Sequence, residues 1–105
     1  MNYADLRTSL LVLGIPVAYR MFPVGDAPEL PYILFYKEGS DDFYADNINY
    51  HKIDDVSIEL YTTNKDFEIE AKLEKILNNI KLPYVSYESY LDDEKMHEVL
   101  YEIQI

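Results

Sequence analysis

Cysteine is absent from the 105 residues, which excludes disulfides, thiolate nucleophiles and cysteine-based zinc sites. Glycine is almost as scarce. With glycine only at positions 14, 25 and 39, neither GxGxxG nor GxxxxGK[ST] can be written, and the backbone cradles those motifs build for phosphates are ruled out. Basic residues are few as well: nine against twenty acids give a net charge of -11. Such a surface repels phosphate backbones and anionic lipid over a Debye length of ~8–10 Å at cellular salt. Gripping nucleic acid by Lys/Arg neutralisation is not expected, although a surface that DNA must pass without sticking is compatible with repulsion. Long apolar runs are also missing. The opening MNYADLRTSLLVLG is interrupted by Asp5 and Arg7, so neither a signal peptide nor a membrane span is expected there, and the chain is expected to stay in the cytosol.

The chain is rich in apolar and tyrosine side chains. Hydrophobic residues make up 49% and tyrosine alone accounts for eleven positions, with no tryptophan. A chain of this length buries roughly two-thirds of its unfolded surface, enough for one core, so residues 1–105 are expected to form a single globular domain despite the charge.

Asn2 is placed to cap a helix with Asp5 in its first turn, and Leu6, Leu10 and Leu13 recur on one stripe before Gly14 and Pro16 stop it. Val17 to Phe22 alternates as a strand, followed by a turn through Pro23, Gly25, Asp26 and Pro28. The next strand, Tyr32 to Glu38, is apolar on both faces, so either helices cover both sides or a partner molecule does. Gly39 to Asp55 reads as a long hairpin excursion with a polar, mobile tip. Val56, Ile58 and Leu60 then alternate with Ser57, Glu59 and Tyr61 in the cleanest strand, which is expected to sit centrally. Thr63 or Asn64 is the expected cap of a second helix carrying Ile69, Leu73, Ile76 and Ile80, with Glu68 and Lys72 paired one turn apart on the solvent side. Strands Tyr84 to Tyr90 and Met96 to Ile105 close the chain around an acidic turn. The expected fold is α+β, a small antiparallel β-sheet with two helices packed on one face, in the order α-β-β-β-α-β-β.

No catalytic constellation emerges. His51 and His97 stand apart beside charged neighbours and read as ordinary surface residues. No GxSxG turn supports a serine nucleophile. Asp42, Tyr44, Asp46 and Asn47 depart from a calcium loop, because Tyr44 occupies a ligand position and the required glycine is missing. No catalytic, cofactor or metal residue is therefore assigned. The tyrosines offer large contact area with few torsions to freeze, as interface cores do, and they also fit half-buried strand positions. The double-faced strand favours an interface, and Tyr32, Tyr36, Phe43 and Tyr44 are the candidate contact residues, with Tyr84, Tyr87 and Tyr90 adding to the aromatic surface.

Across LPYILFYKEGSDDFYADNINYHKIDDVSIELYTTNKD, the helix after it, and LPYVSYESYLDDEKMHEVLYEIQI, the chain resembles the small tail-terminator or tail-completion proteins of long-tailed phages and prophages of Gram-positive bacteria. The resemblance lies in length, element order and short strings over nearly the whole chain, and the family has no strict motif from which a site residue could be transferred. It implies a non-enzymatic virion protein, present in the host cytoplasm during assembly, that forms a hexameric ring. That ring would cap the tail tube, bind the tube protein and a head-completion protein, and let DNA pass without specific binding, with no membrane partner. An alternative from another class is a monomeric acidic binding or inhibitory module that mimics nucleic acid and occupies a basic site.

Overall fold

The computed structural model describes residues Met1–Ile105. The first helix, α1 (Tyr3–Leu11), begins where expected: the Asn2 side-chain oxygen accepts from the Asp5 backbone N–H at 2.8 Å, satisfying a donor that the first helical turn leaves unpaired. Gly14 has a φ of +83°, the left-handed conformation that turns the chain out of the helix. Leu6 and Leu10 are fully buried, and Leu13 packs at the rim of the core.

Strands β1 (Val17–Tyr19), β2 (Tyr32–Ser40), β5 (Asp54–Thr62), β6 (Val85–Leu91) and β7 (Met96–Gln104) form one sheet in the order β1-β2-β5-β7-β6, with β3 (Phe43–Ala45) and β4 (Ile48–His51) as a separate two-stranded ladder. The α+β expectation holds, and β5 is central as its alternation implied. Two details differ. First, β1 ends at Tyr19 rather than Phe22, because Arg20 takes a φ of 67° and leaves the strand path. Second, β1 runs parallel to β2, pairing Val17 with Ile33 and Tyr19 with Phe35, so the sheet is antiparallel only from β2 onward. The connection Arg20 to Pro31, which includes the expected turn through Pro23, Gly25, Asp26 and Pro28, is long enough to return the chain to the same end of the sheet, which is what parallel pairing requires.

Helix α2 (Phe67–Asn79) is capped by Asp66, not by Thr63 or Asn64; its carboxylate accepts from the Ile69 N–H at 3.1 Å. The buried stripe runs through Leu73 and Leu77, with Ile69 and Ile80 at the core margin. The solvent-side pair Glu68–Lys72 forms at 3.3 Å as expected.

The register places all the buried hydrophobic strand residues on one side of the sheet. Ile33 lies opposite Leu60 and Phe35 opposite Ile58, while Val56, Ile58 and Leu60 face Ile103, Tyr101 and Val99 across the next ladder. Together with Val17 and the leucines of both helices they make one cluster of thirteen buried residues. Both helices therefore cover the same face. Polar bonds tie the two layers. Tyr101 is fully buried, and its hydroxyl donates to Glu74 Oε2 of α2 at 2.8 Å; Tyr3 of α1 donates to Asp54 Oδ2 of β5 at 2.7 Å. Lys65 reaches Glu70 Oε1 at 2.8 Å and Glu88 Oε2 at 2.7 Å, joining the start of α2 to β6.

Candidate interaction surface

The opposite face of the sheet is covered by neither helix. Alternation along the strands puts Tyr32, Leu34, Tyr36 and Glu38 of β2 on that side, with Ser57, Glu59 and Tyr61 of β5, Glu98, Leu100 and Glu102 of β7, and Val85 and Tyr87 of β6. The choice left open by the double-faced β2 sequence is thereby resolved: its second apolar face is not covered by another element of this chain. Tyr32 and Tyr61 are cross-strand neighbours with ring centroids 5.3 Å apart, and Phe22 from the β1–β2 connection meets Tyr32 edge-on at 5.2 Å. The Arg20 guanidinium lies 4.9 Å from the centre of the Tyr36 ring, within the range of a cation–π contact.

Carboxylates are interleaved with these rings, and none of the chain's ion pairs reaches Glu38, Glu59, Glu98 or Glu102. Burial raises the Glu59 carboxyl above the ordinary glutamate value, and the neighbouring Glu98 adds to the rise. Burial likewise pushes the Tyr36 hydroxyl up to about 12, with Glu59 as the next cause, and Tyr61 is displaced upward by burial and by Glu59 and Glu98. The face therefore holds protonated tyrosine donors among crowded negative charges. Where β2, β5, β7 and the start of β6 meet, an open hollow of ≈ 730 Å³ is lined by Glu38, Asp55, Ser57, Tyr84 and Glu102 among others, with no basic side chain. Ser57 Oγ donates to Glu38 Oε1 at 3.0 Å, and no histidine lines the hollow to activate it. No group of three or more His, Asp or Glu side chains is arranged to hold a metal ion, and no helix is long and apolar enough to cross a membrane.

The Gly39 to Asp55 excursion is a β-hairpin arm that continues the β2–β5 ladder outward. The Asp41 N–H donates to the Ile53 carbonyl at 2.9 Å, and Asp42 accepts from the Ile53 N–H and the Asn49 side chain, clamping the base. At its tip Asp46 and Asn47 both have positive φ, 53° and 65°, as a two-residue type I′ turn requires. Phe43, Tyr44, Ile48 and Tyr50 on this arm are 63%, 77%, 63% and 79% exposed. Of these four large side chains only Phe43 meets another ring of the chain, that of His51 at 6.4 Å between centroids. The arm contributes to an elongated outline of 49 × 30 × 23 Å.

Of the sequence-predicted contact residues, Tyr32 and Tyr36 share the open face, half-buried among their neighbours, whereas Phe43 and Tyr44 stand on the arm. The four do not form one patch; they mark two. Tyr84 belongs to neither: it turns inward, meeting Tyr101 edge-on at 5.4 Å and donating to Glu74 Oε1 at 3.2 Å. Tyr90 lies on the helix side against His97, 4.9 Å between ring centres, and of the two tyrosines of β6 only Tyr87 faces the open side. Sequence reasoning missed Glu59, Tyr61, Glu98 and Leu100 as members of the open face, and Ile48 and Tyr50 as exposed arm residues. The period-two alternation of Ser57, Glu59 and Tyr61 was the available signal. No protein-family model matches the chain, and no curated protein matches it significantly.

Proposed function

We propose that this chain is a non-enzymatic assembly subunit of the tail-terminator type, whose copies close head to tail into a ring that caps a phage tail tube and joins it to the head. The observation that carries the reading is the pair of unpartnered apolar surfaces, an aromatic sheet face and a projecting arm, on one small domain. A closed ring needs two different patches on each subunit that meet heterologously. The open face with Tyr32 and Tyr36, and the arm with Phe43 and Tyr44, supply two such patches. The net charge of -11 suits a channel through which DNA slides without adhering. The resemblance in length, element order and short strings supports the same reading.

Mass measurement in solution, on the chain alone and with added tail tubes, tests it. Tyr36→Ala and Tyr44→Ala should each weaken ring or tube association by ~1–2 kcal/mol per interface, about five- to thirtyfold in the equilibrium constant. Unchanged assembly in both variants removes these residues from the interface, and a chain that remains monomeric both alone and with tubes refutes the ring.

A further inference from the structure

Covering the open sheet face is subject to an electrostatic constraint. Glu59 and Glu98 flank the Tyr61 position on adjacent strands, with Glu38 and Glu102 farther along the same face, and none of them is engaged by a base of this chain. An apolar surface laid over these groups would strip water from like charges that already repel one another, and that loss outweighs the gain from burying tyrosine. A partner that brings cations reverses the sign, because each pairs with a carboxylate as water leaves. The face already holds one such cation, the Arg20 guanidinium over Tyr36 at 4.9 Å. A second copy is poorly suited as the source. Each copy carries -11, so a second copy brings more negative than positive charge to the face.

We infer that the face formed by Tyr32, Leu34, Tyr61 and Leu100 with Glu59 and Glu98 docks an arginine- or lysine-bearing segment of a different protein, apolar side chains seated between the rings and cations on the two glutamates. This rests on the assembly reading and refines it: the Glu59 and Glu98 region of the sheet face meets the heterologous partner, while the Tyr36 side of that face and the arm keep the contacts between copies.

The probe is a capped synthetic peptide alternating arginine with leucine, with its glutamate-for-arginine counterpart as control. Calorimetry follows its binding to the intact chain, and methyl NMR of Leu34 and Leu100 reports where it binds. The double variant Glu59→Gln/Glu98→Gln is compared with Asp92→Asn/Asp93→Asn, which removes the same formal charge from the β6–β7 turn. The face variant should weaken peptide binding by about tenfold or more, as loss of desolvated charge pairs does. The turn variant should weaken it by less than about threefold, the scale of screened surface charge. Equal losses in both variants, absence of peptide binding, or shifts confined to the arm or α2 would overturn the inference. Salt separates this result from the parent reading. Peptide binding weakens as salt rises, whereas ring formation between like-charged copies strengthens, so either can fail while the other stands.

Discussion

Replacing Glu59 by glutamine tests whether the open face is electrostatically strained. The side chain is half-buried on β5, and the groups around it on β2 and β7 are Glu38 and Glu98, with Tyr36 and Tyr61 held protonated beside it. Its folded-state carboxyl is raised above the ordinary value of 4.5, so between those two values the native state binds the proton more tightly than the unfolded chain does. Stability therefore falls as pH rises through that window, and at neutral pH the protein carries the full cost of the ionised form. Glutamine keeps the shape and removes the charge. Repulsion between like charges on neighbouring strands amounts to ~0.2–1 kcal/mol, and solvent screening of a half-exposed group holds the gain toward the lower half of that range. For a domain of this size about 0.5 kcal/mol corresponds to a rise in Tm of roughly 2–4 °C. Thermal unfolding followed by circular dichroism should show this rise at neutral pH and its disappearance below the ordinary glutamate value, where both proteins are neutral at this position. Glu98→Gln should act in the same direction, and the double variant should gain less than the sum, since one repulsion is being removed twice. Destabilisation at neutral pH, or an equal gain in acid, would refute the account of crowded carboxylates on this face.

Tyr101→Phe keeps the buried ring but removes the donor to Glu74; a bond of this kind to a charged acceptor is worth ~1.5–3 kcal/mol, and denaturant titration should find a loss of that order, an unchanged midpoint counting against the 2.8 Å contact. Asn47→Val places a β-branched residue at a φ of 65°, a conformation such residues rarely adopt; hydrogen exchange should then speed up at Phe43–His51 while amides of β5 and β7 keep their protection. Leu77→Ala in the fully buried seam between α2 and the sheet should cost ~2–5 kcal/mol, and a chemical-denaturation loss well under that range would mean that the seam collapses around the smaller side chain.

The start and stop of α1 and the central strand were legible in the residues because those features are local. The Asn2 cap, the left-handed Gly14 and the Glu68–Lys72 pair each involve groups no more than a few positions apart. The strand through Val56, Ile58 and Leu60 was legible for a similar reason, since alternation follows from the pleat itself. Errors arose where a boundary depended on distant contacts. Asp66 rather than Thr63 or Asn64 caps α2, just after Lys65 reaches across to Glu88 of β6, and β1 is parallel because of where the following segment returns the chain. The candidate tyrosines show the same division: composition could flag them, but only packing could sort Tyr84 inward and Tyr36 outward.

The amino-acid sequence by itself determined an α+β domain with strong negative charge, no cysteine chemistry and a β2 strand apolar on both sides. Those properties follow from composition and short-range periodicity, which need no knowledge of neighbours. Tertiary structure alone decided that both helices lie on the same side, that the uncovered side gathers Tyr32, Tyr61, Glu59 and Glu98 from three strands, and that Phe43 and Tyr44 project on an ordered arm. Which side chains share a face across strands is set by register, and register arises from pairing residues far apart in the chain, a relation that local spacing does not encode.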